Sequence, residues 1–172
     1  MKRLYILRHA KSDWPSGVDD KDRPLGENGK RHADALVKTM ASKRYKPDYV
    51  LCSSAVRTRQ TFAPVKQEWP DTKYEYKDNL YLASTGELFE ELKSTDDEFN
   101  NIMIIGHNPG IHGLVQLLVG QGAPALVSEI LGGYKTGCLS VLDCDCAVWS
   151  ELLPAGNTLI DILGGKQLYR TL

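Results

Sequence analysis

Two short segments constrain the fold of this chain more than anything else in it. Tyr49-Val50-Leu51-Cys52 and Ile102-Met103-Ile104-Ile105 are apolar at every position. A strand with one wet face would alternate polar and apolar residues. An unbroken apolar run suits a strand covered on both faces, as in a mainly parallel sheet flanked by helices. Leu4-Tyr5-Ile6-Leu7 reads the same way. Strands are therefore expected at residues 3–7, 49–53, 102–105, 139–142 and 148–152, with a weaker one at 73–76.

Between these runs, apolar residues recur at helical spacing. Ala33, Leu36, Val37 and Met40 follow the i, i+3, i+4, i+7 pattern, as do Ile111, Leu114, Val115 and Leu118. Another helix is expected to begin near Ala55, kinked or divided by Pro64. A fourth covers residues 84–93, with Leu88, Phe89 and Leu92 on one face. The alternation predicts an α/β protein, a three-layer α/β/α sandwich around a mainly parallel central sheet. The 172 residues suit one compact domain spanning the chain. Residues 12–29, rich in Asp, Gly and Pro, form the one long loop, and long loops beside strand ends are often functional.

Charge excludes several classes of partner. Lys and Arg total 21 against 22 for Asp and Glu, so the net charge of -1 gives no general attraction to nucleic acid or to an acidic membrane. An anion site must then come from a local cluster of cations. No apolar stretch is long enough to span a bilayer. The apolar run after Lys2-Arg3 ends at Arg8, too soon for a secretory signal. Cys144-Asp145-Cys146 could be half of a soft-metal site, but neither a second close pair nor a nearby His completes it. With Cys52 and Cys138, these read as reduced thiols of a cytoplasmic protein holding no metal or cofactor.

Three of the expected strands end in polar groups that do not favour burial. The first runs into Arg8-His9, the second into Ser53-Ser54-Ala55-Val56-Arg57, and the third into Gly106-His107-Asn108-Pro109-Gly110. Ligands of open α/β sheets gather beyond the carboxyl ends of the strands. Ser54 and Asn108 are plausible helix N-caps, with Pro109 at the first helical position and Arg57 in a first turn. Helix starts favour anions. Arginine forks match phosphate oxygens, and a neutral imidazole is a nucleophile toward phosphorus. Two arginines beside His9 should lower its pKa and keep it neutral. Each residue alone has a duller reading, since most arginines are surface charges and His107 could simply hold a turn. Their joint occurrence at three strand ends points to phosphoryl transfer through a phosphohistidine.

The motifs LRHAKS, DRPLGENG, CSSAVRTRQT and IIGHNPG, in that order, resemble the histidine phosphatase (phosphoglycerate mutase-like) superfamily, and among its branches the small SixA-type phosphohistidine phosphatases. The resemblance runs from Met1 to about Gly120. It implies that His9 is the phosphorylated nucleophile and Arg8 a phosphate ligand beside it. It makes Arg57 the second arginine and His107 the second pocket histidine, donating to the phosphoryl oxygens. Arg23 in DRPL matches a position that adds a further substrate contact, and Asn108 is a second substrate-binding candidate. The implied enzyme is a metal-independent phosphatase acting on phosphohistidine in a protein. A small-molecule phosphomonoesterase and a non-catalytic binder of phosphorylated ligands are the alternatives.

One departure bears on the leaving group. Larger members of the superfamily carry a carboxylic acid that protonates the leaving oxygen, whereas residues 80–87 here offer no carboxylate at an obvious matching place. Glu87, Asp20, Asp22 and solvent are the candidates, with Glu87 more simply read as a first-turn helix acid. Arg59 and His32 are expected to face solvent and His112 to be structural. Trp14, Pro15, Lys11 and Ser12 lie close enough in sequence to His9 to wall the site.

Overall fold

The computed structural model describes residues 1–164. In chain order its elements are β1 (Lys2–Arg8), α1 (Glu27–Ser42), β2 (Tyr49–Ser53), α2 (Val56–Glu68), β3 (Lys73–Lys77), α3 (Thr85–Lys93), β4 (Asn101–Gly106), α4 (Gly110–Leu118), β5 (Val119–Gly122), α5 (Pro124–Leu131), β6 (Leu139–Cys144) and β7 (Asn157–Leu163). The described strands form one seven-stranded sheet in the order β3-β2-β4-β1-β6-β7-β5. β3, β2, β4 and β1 run parallel, β6 is antiparallel to both its neighbours, and β5 pairs parallel to β7. This is the expected mainly parallel α/β sandwich, with the phosphoglycerate mutase-like arrangement.

The unbroken apolar runs are explained by two cores, one on each face of the sheet. Leu4, Ile6, Leu51, Ile102 and Ile104 pack with Leu88 and Leu92 of α3 and with Ile111, Leu114 and Val115 of α4. Their neighbours Tyr5, Leu7, Val50, Cys52, Met103 and Ile105 pack on the other side with Leu36, Val37 and Met40 of α1 and Phe62 and Val65 of α2. Leu4, Ile6 and Leu7 are fully buried, and each such side chain contributes about 1.5–3 kcal/mol relative to exposure. This double coverage makes β1, β2 and β4 a stiff platform.

The strand expected at residues 148–152 and the division of a helix at Pro64 are not found, and one strand is unexpected. Residues 148–152 are not a strand: Trp149–Glu151 form one 3-10 turn that buries Trp149, whose ring N–H donates to Phe99 O at 2.8 Å. The segment's apolar residues Trp149 and Leu152 join the core formed with α3 and α4. The last strand is instead β7, disguised in the sequence by Asp161, whose carboxylate faces the Lys43 ammonium at 2.7 Å. Pro64 lies inside α2 without dividing it.

Candidate active site

The register of the central strands brings the polar strand ends together. β1 pairs with β4 so that Arg8 lies opposite Gly106, and β4 pairs with β2 so that Cys52 lies opposite Ile105. The residues that follow, His9, His107 and Ser53, therefore sit side by side at one rim of the sheet. The His9 and His107 ring centroids are 5.3 Å apart. The GHNPG turn fits tightly here, since a Cβ on Gly110 would lie 2.0 Å from Ala83 O. Arg8, His9, Arg57, His107, Asn108 and Arg23 line one cleft of about 700 Å³, together with Lys11, Ser12, Trp14, Leu82, Lys135 and Thr136.

Hydrogen bonds fix the state of His9. Its Nδ1 lies 2.7 Å from Ala10 O. A carbonyl oxygen only accepts, so Nδ1 carries the proton and Nε2 keeps its lone pair. Burial pushes the His9 pKa down to about 4, against the opposing pull of the Ala10 hydrogen bond, and the charges of Arg57, Arg8 and Arg23 add to the lowering. His107 is brought to about 3, chiefly by burial and then by His9 and Arg57. Both rings are neutral at neutral pH. His107 Nε2 lies 2.8 Å from the Ser53 hydroxyl, and its Nδ1 is buried with no hydrogen-bond partner among the described residues.

The arginines differ in how they are held. Arg8 Nη1 donates to Tyr134 O at 2.7 Å. Arg57, buried in the first turn of α2, is engaged by a residue of the long loop: Nη1 donates to Asp20 O and Nη2 to Asp20 Oδ2, the latter at 3.0 Å. Its Nε is buried and without a partner among the described residues. Arg23 donates to Asp13 O, Asp20 Oδ1 and Ser12 Oγ, and its guanidinium stacks 3.1 Å above the Trp14 ring. Asp20 thus lies between two arginines and also accepts from the Tyr81 hydroxyl. That bond, with those to Arg23 and Arg57, holds its carboxyl well below the usual carboxylate range. Asp20 is ionised in this arrangement, the wrong state for a proton donor. Glu87 completes a capping box with Ser84, and Asp22 is exposed on a 3-10 turn. Among the described residues that line the cleft, none is an Asp or Glu.

The expected caps are absent because both side chains are drawn to partners distant in the sequence. Ser54 Oγ donates to Asp78 instead, and the α2 cap position is Ala55, whose N–H points at Ser53 Oγ at 3.4 Å. Asn108 Nδ2 is drawn to Tyr134 O at 2.9 Å, which leaves Pro109 at the cap of α4. His32 is buried rather than solvated, packed at the inner face of α1. Arg59 sits 4.7 Å from the Tyr76 ring, and His112, as expected, serves structure by bonding Ile130 O at 2.7 Å. Sequence reasoning missed the 134–137 segment. Gly137, at φ 72°, donates to His9 O at 3.0 Å, and Lys135 and Thr136 reach the cleft. The glycine cluster of Leu131-Gly132-Gly133-Tyr134-Lys135-Thr136-Gly137, immediately before a strand, was the available signal.

The geometry agrees with comparisons to known proteins. Residues 4–88 match the family model of the histidine phosphatase superfamily, branch 1. A chain from Agrobacterium tumefaciens, provisionally named phosphohistidine phosphatase SixA, is 30% identical, with a TM-score of 0.81 over 95% of this chain and 98% of its own. This chain belongs to the histidine phosphatase superfamily. It is a phosphatase of the SixA-type branch. An uncharacterised protein of Mycobacterium tuberculosis is 33% identical over 90% of this chain and 96% of its own length. The fold also matches a protein histidine phosphatase SixA complexed with tungstate, at 19% identity and a TM-score of 0.76, covering 96% of this chain and 99% of that one.

Proposed function

We propose that this histidine phosphatase removes the phosphoryl group from phosphohistidine in a protein, passing it first to Nε2 of His9 and then to water. The observation that carries the reading is the Nδ1 hydrogen bond of His9 to Ala10 O. It leaves the opposite nitrogen basic and fixes the ring in a cleft lined by Arg8, Arg23 and Arg57 together with Lys11 and Lys135. Attack of Nε2 on phosphorus forms the N–P bond as the bond to the leaving nitrogen breaks. Arg8 and Arg57 stabilise the equatorial oxygens, and His107 adds a neutral donor. Arg23 and Asn108 complete substrate binding at the cleft wall. Water then cleaves the N–P bond and restores His9.

A phosphoramidate substrate suits a cleft lined by no carboxylic acid, because the leaving imidazole departs readily once protonated, and solvent can supply that proton. The protein groups neutralise charge without a metal, so activity should survive a chelator. The four cysteines are free thiols, which agrees with a cytoplasmic setting. No helix of the described residues is long and apolar enough to cross a membrane.

Rapid quenching should trap an acid-labile phosphoryl group on His9, absent in His9→Ala. A substrate panel decides between protein and small molecule. A phosphohistidine protein should give the higher kcat/KM, and sugar or aryl phosphates turned over faster would reverse the assignment.

A further inference from the structure

The Ser53 hydroxyl decides which nitrogen of His107 carries the proton. Ser53 is fully buried at the last position of β2, in the strand next to β4, from whose end His107 follows. Its Oγ has two neighbours within hydrogen-bond range. Ala55 N–H is a donor by necessity, so one lone pair of Oγ is taken at 3.4 Å. The other neighbour is His107 Nε2 at 2.8 Å, and two assignments are open there.

If Nε2–H donated to Ser53, the serine proton would be left with no acceptor among the described residues. His107 Nδ1 would become a buried bare acceptor. Two polar groups would be stranded, each at a cost of about 1–3 kcal/mol. If instead Ser53 O–H donates to Nε2, the serine is satisfied and the ring proton moves to Nδ1. One polar group is then left over, a buried N–H on a residue that lines the cleft. Only the second arrangement gives a phosphoryl oxygen something to accept. It also matches the neutral ring, since the Nε2 lone pair is engaged and burial resists a second proton.

We infer that Ser53 is a positioning residue for the reaction. By donating to Nε2 it holds His107 in the Nδ1–H tautomer and so aims a neutral N–H at the oxygens of the transferring phosphoryl group. The inference rests on the reading that His107 faces that group, and it gives a role to the buried first serine of CSSAVR, whereas the second is half-buried and donates to Asp78. A wrongly placed imidazole proton costs rate by removing the donor without disturbing the fold.

Long-range 1H–15N correlation spectra of the imidazoles, recorded on the wild-type phosphatase without substrate, test the tautomer directly. His107 should show a protonated Nδ1 and an unprotonated Nε2. A proton found on Nε2 overturns the proposal whatever the activity. In Ser53→Ala the spectrum should lose that fixed assignment, and kcat should fall on the order of 10²-fold with less change in KM. An unaltered His107 spectrum in that variant, or unaltered kcat beside an altered spectrum, would overturn it equally. Ser53→Thr, which keeps the hydroxyl, should restore the Nδ1–H tautomer and most of kcat. Thermal melts separate loss of fold from loss of tautomer. Failure of the phosphohistidine reading shows elsewhere, as a wild-type enzyme that yields no trapped phosphoenzyme.

Discussion

The cleft has a floor and a wall, and they are built by different means. The floor is His9, His107 and Ser53, placed by adjacent strand ends and 8%, 3% and 0% exposed. The wall comes from the loop of residues 12–26 and the segment 134–137, where Trp14 and Lys135 are exposed. Floor groups are held by two packed cores and by backbone register. Wall groups are held by side-chain contacts to one another, such as Arg23 on Trp14 and Asp20 between two arginines. Chemistry that needs placement within a few tenths of an ångström belongs on the floor, and adaptation to different substrates belongs on the wall.

The floor depends most heavily on His9. Replacement by Ala should lower kcat on the order of 10⁴-fold or more, because it removes the ring nitrogen that forms the N–P bond. The fold should persist, since the ring sits at the rim and not within either core. Arg57→Ala should cost kcat roughly 10²–10³-fold, the loss typical of one preorganised charge-stabilising group. Steady-state kinetics on one phosphohistidine protein would check both, and a smaller effect at His9 than at Arg57 would remove the covalent mechanism.

The buried floor also has a pH signature. Burial lowers His9 to about 4 and His107 to about 3 in the folded chain, while both return to about 6.5 when unfolded. Between those values the unfolded chain binds protons that the folded chain refuses. Stability is therefore fully present above pH 6.5 and is lost as pH falls toward 4, by on the order of 3 kcal/mol for His9 alone. Denaturant unfolding at a series of pH values would show it. His9→Gln should flatten the slope in that window, and an unchanged slope would mean the imidazole is not held neutral.

Asp20 tests how firmly the wall grips the floor. Its carboxylate is a negative charge at the arginines that a phosphoryl group would use. Removing the charge in Asp20→Asn should tighten inorganic phosphate by about 1 kcal/mol, roughly fivefold in Kd. Calorimetric titration would measure it. Weaker binding would instead mean that Asp20 serves mainly to keep Arg57 in place.

Floor and wall also differ in how well they could be read from sequence. The unbroken apolar runs of β1, β2 and β4 announced two-sided burial, and a parallel sheet carries its strand ends to one rim, so the convergence of Arg8, His9, Arg57 and His107 in one cleft was legible. Ser53 was not, because a serine in a strand says nothing about which neighbour its hydroxyl will meet. The capping expectations at Ser54 and Asn108 failed for the same reason: Asp78 and Tyr134 O compete for those side chains from distant parts of the chain. Lys135 and Thr136 follow a four-residue strand containing Gly120 and Gly122, a short helix of eight residues and the Gly132-Gly133 pair, segments too short to carry a clear period. β7 was hidden by Asp161, a polar residue kept in a half-buried strand by Lys43 and Tyr45.

The smallest effect separates the two regions most cleanly. Lys135 is an exposed cation at the cleft rim, so its field is spread through water and ions. Its attraction for a dianionic phosphoryl group is worth at most about 1 kcal/mol at low salt, which corresponds to a change of about fivefold or less. Lys135→Ala should therefore raise KM by that factor and leave kcat unchanged, because the residue helps capture the anion but does not meet the charge that develops on transfer. At high ionic strength the difference between variant and wild type should vanish, whereas the Arg57→Ala defect should remain. A salt-resistant loss of kcat in Lys135→Ala would move this lysine from the wall to the floor, and the division of labour argued for the cleft would have to be redrawn with the 134–137 segment on its rigid side.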